Sequence, residues 1–476
     1  MKKHTLLKIL GILLMLILIT SYILVGRHDT IDRIGLADLL LNYFSIVLPN
    51  FGYIVLFVLS VGGFYGVLNK TASYKKLLDN IVTKIKPFGK KFIYLIIILF
   101  ALITAFTGIT IPLFIFIPFI ASIIILMGYD KLVALTSTVV SIVVGYIGGI
   151  FVNFINPSTY ASNTFEKFVG LDNNLANTFP KLLLLFAGIA LLIYYVSSHI
   201  KNVEEKKVKY ELTDDSELLI SEVKGNYKDI KTWPLILILS LTFVIVVLGL
   251  IPWKSLFEIN AFSNFHDWLL GLSIKKFAVF ANIISANLPA LGSWTGSGNE
   301  LAIYVYISML LVFISAIISL LGKIKVDDAI DNFVEGCKKM LPTAILITVA
   351  YTVLICSYNN GFIESIINNY GKFNFGISSL IAFLGCIINV DTTWIVAGVF
   401  SPIVNLITDE SIYSSVAILL QGIYGIFMLI GPTSIILIIG LSYMDVQYTT
   451  WVKYIWRFIL YLIILVAVVT AIVVLL

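Results

Sequence analysis

Residues 386–398 read CIINVDTTWIVAG and place a carboxylate, Asp391, inside an otherwise apolar run. An ionised side chain at that depth in a bilayer costs at least ~2.5–3.5 kcal/mol, so it calls for a function or a partner. Four chemistries are open to Asp391: ligating Na⁺, relaying a proton, meeting the amine of a cationic substrate, or pairing structurally with a lysine. Asn389, Thr392 and Thr393 add oxygens beside it, and half-helix ends would add backbone carbonyls. These four residues are the candidate coupling-ion site.

A second group lies at Thr104–Thr110 (TAFTGIT), followed by Pro112. Thr107, Gly108 and Thr110 would offer hydroxyls and freed backbone groups to a carboxylate or an ion. The plainer reading is threonine bonding back onto its own helix. A third group is a pair of interruptions, NFINPST at 153–159 and GPTS at 431–434. Proline inside a span removes a backbone hydrogen bond, and the freed carbonyls need partners. Asn153, Asn156, Ser158, Thr159, Thr433 and Ser434 suit that task or a substrate; an ordinary proline kink is the alternative.

The elements that must position these groups are transmembrane helices. The chain has 476 residues, 59% hydrophobic and 12% charged, with mean hydropathy +1.01. A soluble chain carries about 25% charged residues. Repeated apolar runs of about 18 residues or more define an all-α polytopic membrane protein. The net charge of +5 sits in loops beside spans, as the positive-inside rule expects, and gives no nucleic-acid signal. The three cysteines and four histidines have no ligand spacing, so no metal or other cofactor is expected beyond Na⁺ or H⁺ as a coupling ion. No Walker motif, kinase set or GxSxG elbow is present, which argues against ATP-driven or hydrolytic action. Residues 6–25 read as an uncleaved first span rather than a signal peptide.

About ten full spans plus two hairpins are expected. The clearest runs are 6–25, 50–69, 131–155, 179–197, 233–251, 301–322, 341–357, 412–440 and 454–476. Orientation decides the long stretches 92–127 and 375–408. The basic loops 70–91 and 198–232 each carry seven lysines and belong in the cytoplasm, with the N-terminus. An even number of crossings must separate them, so 92–127 dips in and returns as a re-entrant hairpin, broken near Gly108 and Pro112. The stretch 375–408 repeats this from the other side, and 277–299 must not cross; it reads as re-entrant or interfacial. Ser73–Lys86 and Val326–Met340 read as amphipathic helices on the cytoplasmic face.

The halves then correspond. Residues 1–200 form a first repeat with hairpin 92–127 and broken span 131–156. Residues 201–300 hold a loop, the linking span 233–251 and the interfacial segment. Residues 301–476 form an inverted second repeat with hairpin 375–408 and broken span 412–440. Inverted repeats with interrupted helices are a recurring build of secondary transporters.

VGGFYGVLNKTASYKKLLD (61–79), LMGYDKLVAL (126–135), NPST (156–159) and LIGPTSIILIIGLSYMDVQYTTWVKYIWRF (429–458) resemble the YfcC / anaerobic four-carbon dicarboxylate carrier branch of the ion transporter superfamily. The resemblance implies inverted repeats, two opposed hairpins, a transport domain moving against a scaffold, and small organic anions, amino acids or peptide-like solutes as cargo. One feature departs from it. That branch usually carries an acidic pair in the first hairpin, where this chain reads TGITIPLFIF; its acid sits in the second.

The sequence thus points to an elevator-type secondary transporter, cation-coupled or exchanging, and not an enzyme. It would work in the cytoplasmic membrane as a homodimer joined through scaffold spans. A channel or a membrane-embedded enzyme using Asp391 are the alternatives. A channel would need a continuous polar pore, and an enzyme a catalytic partner for Asp391.

Overall fold

Backbone amides in hydrocarbon must be satisfied within their own segment, and helices achieve this for most of the described residues. The protein is seen in a computed structural model that describes residues 5–25, 32–150, 175–207, 229–250, 253, 259–274, 277–279, 300–370 and 372–475. Helix α1 spans Thr5–Leu24, α2 Leu36–Asn69, α3 Ala72–Ile85, α4 Lys90–Thr107, α5 Ile117–Leu126 and α6 Lys131–Ile147. Then follow α7 (Leu175–Glu204), α8 (Trp233–Leu250), α9 (Ala261–Gly271), α10 (Glu300–Leu321) and α11 (Val326–Asn360). The chain ends with α12 (Phe362–Tyr370), α13 (Phe375–Ile388), α14 (Thr392–Asn405), α15 (Tyr413–Ile430), α16 (Ile435–Tyr443) and α17 (Tyr448–Leu475). Eight helical segments among the described residues are long and apolar enough to cross a membrane. A two-residue hairpin, Ser273–Ile274 with Phe277–Ala278, is the β structure described.

Two boundaries differ from the expected ones. The run 50–69 begins earlier, because α2 passes from Leu36 through a π-helical turn at Tyr43–Val47. The amphipathic stretch Val326–Met340 is continuous with the following span in one 35-residue helix. The change from amphipathic to apolar sequence alters which face is wet, not the backbone, and Pro342 alone does not end the helix. The stretch 73–86 does stand apart, as α3.

The helices sort into two packed groups. In one, α2 lies between α10 and α11, and α1 leans on α11. Glycines set the closest approach: a Cβ on Gly336 would collide with the Gly62 carbonyl, and one on Gly66 would meet the Asn332 carbonyl. Small residues that let backbones touch are a usual way to hold helices together in lipid. In the other group, α4, α6, α7, α13, α15 and α17 pack together. Gly145 meets Ala101, Gly425 meets Ile147 and Gly422 meets Val466 at its contacts. Helix α11 touches α16, so the two groups share a seam.

Candidate functional site

The helices break near Gly108 and at Asn389–Asp391, two places where the sequence suggests a turn. Helix α4 ends at Gly108, whose φ of +68° is the left-handed conformation glycine adopts without strain. A 3₁₀ turn at Ile111–Ile115, opened by Pro112, starts the return limb through α5. An ideal Cβ on Gly89, at the start of this hairpin, would lie 3.9 Å from the Tyr129 hydroxyl at its end, so the two ends meet. The second hairpin turns at Asn389–Asp391 between α13 and α14. Its limbs touch where Gly385 faces Val399.

At the first tip the threonines serve their own backbone. Thr104 Oγ1 donates to Ile109 O (3.0 Å). Thr107 Oγ1 donates to Ile103 O and accepts from Ile109 N (3.2 Å). At the second tip Asp391 splits its two oxygens. Oδ1 caps α14, accepting from Thr393 N (3.1 Å) and Trp394 N (3.4 Å). Oδ2 accepts from the Tyr351 hydroxyl of α11 (3.3 Å). Thr392 Oγ1 lies 3.2 Å from Tyr424 Oη of α15.

The break between α15 and α16 completes the site. The last carbonyls of α15 each meet a side chain: Ser434 Oγ donates to Met428 O (2.8 Å), Trp451 Nε1 to Leu429 O (2.8 Å) and Tyr448 Oη to Ile430 O (2.5 Å). Ser434 also caps α16 by accepting from Leu437 N (3.4 Å). The acceptor end of the break is therefore taken up by the protein. Its donor end, the N-terminus of α16, carries the positive end of the helix dipole.

These parts converge on one cavity of about 80 Å³. Gly108, Thr110, Ile111 and Pro112 of the first tip line it, with Val390, Asp391 and Thr392 of the second and Ser434, Ile435 and Ile436 at the break. Tyr146, Tyr304, Tyr351 and Tyr424 complete the polar wall, with Ile54 and Met428. Among the described residues, no Lys, Arg or His lines this cavity. No group of three or more His, Cys, Asp or Glu side chains suited to a metal occurs among them either.

The sequence candidates thus divide. Gly108, Thr110, Asp391, Thr392 and Ser434 line the cavity. Thr107 and Thr393 stand beside it, the first bonded to its own helix and the second as an amide donor to Asp391. Asn389 and Thr433 are buried, and each has a side-chain oxygen without a hydrogen-bond partner. Asn153, Asn156, Ser158 and Thr159 lie outside the described residues. Gln421 of α15, by contrast, donates Nε2 to the carbonyls of Tyr146 (2.7 Å), Ile147 (3.2 Å) and Gly149 (3.2 Å), closing the end of α6.

The four tyrosines were not singled out, and no local signal could have done so. They come from four helices far apart in sequence, among 24 tyrosines in the chain. A larger cavity of about 360 Å³ behind the first hairpin is nearly all apolar and does not hold Asp391.

Two hairpin tips and a broken span gathered around a small polar cavity, within a bundle of apolar helices, define a multi-pass membrane carrier. The chain belongs to the C4-dicarboxylate anaerobic carrier family, DcuC, whose model matches residues 48–475. The resemblance read from its motifs is thereby confirmed, and the protein is a transporter rather than an enzyme. The solved structure of the YdaH transporter from Alcanivorax borkumensis is similar at 14% identity and a TM-score of 0.44, covering 97% of each chain; a likeness that distant bears on neither substrate nor mechanism. No curated protein matches significantly.

Proposed function

We propose that the protein moves a four-carbon dicarboxylate across the cytoplasmic membrane, with a proton carried by Asp391. The observation that supports this most is the charge balance of the cavity. Its lining has one carboxylate and no cationic side chain among the described residues. A dianion can approach an ionised Asp391 only against repulsion. With Asp391 protonated, the acid becomes a hydrogen-bond donor, and the N-terminus of α16 and the tyrosine hydroxyls supply more donors for carboxylate oxygens. The groups facing Asp391 are then Tyr351 of α11, Tyr424 of α15, Tyr146 of α6 and the amides of its own helix.

Sodium is the second reading. The unpartnered oxygens of Asn389 and Thr433 favour it, since a cation needs such acceptors. Thr392 and Thr393 would add oxygens from the same tip.

In the proposed reading the α4, α6, α7, α13, α15 and α17 group moves as an elevator against the α2, α10 and α11 scaffold. The Tyr351–Asp391 bond spans the two bodies. The residue ranges 1–200 and 301–476 act as inverted repeats, the N-terminus is cytoplasmic, and two copies pair through scaffold spans.

Counterflow of labelled succinate in proteoliposomes, with imposed pH or Na⁺ gradients, tests this. Saturable exchange that responds to the pH gradient supports it. A Na⁺ response with no pH response selects the sodium reading, and an ohmic current overturns the carrier reading.

A further inference from the structure

The apolar cavity of about 360 Å³ lies between α2, α3, the return limb of the first hairpin and α8. Its walls are Phe, Leu, Ile and Val side chains, with Tyr65, Tyr74, Ser240 and Thr242 as the polar residues. Two of those hydroxyls are already used: Tyr65 donates to Ile115 O (2.7 Å) and Thr242 to Ile238 O (2.8 Å). A cavity with so few polar partners does not hold ordered water. Within a bilayer its natural filling is hydrocarbon.

The α3 wall has a direction. Leu77 and Ile81 line the cavity four residues apart, and Lys84 follows on the same helical face, exposed to solvent. An apolar wall that ends in a surface cation, without an ion-pair partner among the described residues, has the shape of a phospholipid with an anionic headgroup. Lys76 Nζ, by contrast, is occupied: it donates to Ile230 O (2.8 Å) and ties α3 to the start of α8.

We propose that this crevice takes one acyl chain of an anionic phospholipid whose headgroup rests against Lys84. The chain would sit behind the working tip. Ile111 and Pro112 at one end of the 3₁₀ turn face the Asp391 cavity, while Ile115 at its other end faces the crevice. Phe116 of the hairpin meets Phe243 of α8 at 4.7 Å between ring centres, closing the wall. A lipid there buttresses the first hairpin against α8.

Native mass spectrometry of the purified full chain, titrated with phosphatidylglycerol, phosphatidylcholine or palmitate, tests the assignment without relying on transport. The expected result is one retained phosphatidylglycerol, favoured over phosphatidylcholine by about fivefold, the effect of a single lysine near an anionic headgroup. K84A removes that preference while leaving acyl binding, and S240W, which fills the crevice, removes the adduct. The elution profile and melting temperature of S240W show whether it is folded; if it is not, K84A alone decides. Equal binding of both phospholipids in the native protein, retention of palmitate instead, or an unchanged preference in K84A would overturn the proposal.

Discussion

The two hairpin tips reach the same cavity by different means. The first contributes mainly backbone and shape: Thr104 and Thr107 bond to backbone carbonyls of their own segment, Gly108 makes the turn in a left-handed conformation, Pro112 starts the return, and Thr110 lines the cavity. The second contributes a charge-bearing group, Asp391, whose Oδ1 holds the tip together while Oδ2 faces Tyr351. In the proposed mechanism the second tip depends on a single carboxyl, whereas Thr104 and Thr107 of the first are occupied with backbone of their own segment. This division teaches that two tips turning into one cavity need not share a chemistry.

Substitutions that separate the tips should show it. The largest effect is expected from D391N, which keeps the shape but cannot carry a proton: pH-driven succinate uptake should fall by tenfold or more and lose its pH response. If uptake and its pH response survive in D391N, the carboxyl is structural and the tips are equivalent. G108A comes next, because a Cβ in the left-handed region costs about 1–2 kcal/mol; a several-fold loss of uptake with normal expression is expected. S434A removes the cap of α16 and a partner for Met428 O, and should lower stability by about 1 kcal/mol, read as a lower melting temperature. Y351F removes one hydrogen bond across the seam, worth about 0.5–1.5 kcal/mol, and should change uptake a few-fold. The smallest effect belongs to T107V, which should leave transport within about twofold; a loss as deep as that of D391N would put substrate on the first tip's side chains.

Much of this arrangement was legible in the chain. The lysines of loops 70–91 and 198–232 required an even number of crossings, and Gly108 with Pro112 marked where the chain between them could turn. The cost of a carboxylate in hydrocarbon drew attention to Asp391. What could not be read was which partner each polar group would find. Thr107 and Thr110 are alike in sequence and three residues apart, yet one turns to its own helix and the other to the cavity. The capping role of Gln421 leaves no local pattern, because its partner carbonyls lie in the first half of the chain. The tyrosine wall depends wholly on tertiary packing. The continuity of α11 was missed for a different reason, since hydropathy reports the surroundings of a helix and not its ends.

The Gln421 cap has a consequence for synthesis. The carbonyls that close α6 wait for an amide 275 residues further along. While the nascent chain is only half made, the end of α6 lacks this partner and has to rely on water, lipid headgroups or the insertion machinery. Loss of Gln421 is therefore expected to weaken the end of α6. A chain truncated before residue 421, or a Q421L variant, should be cleared by membrane quality control even though every span of the first half is intact.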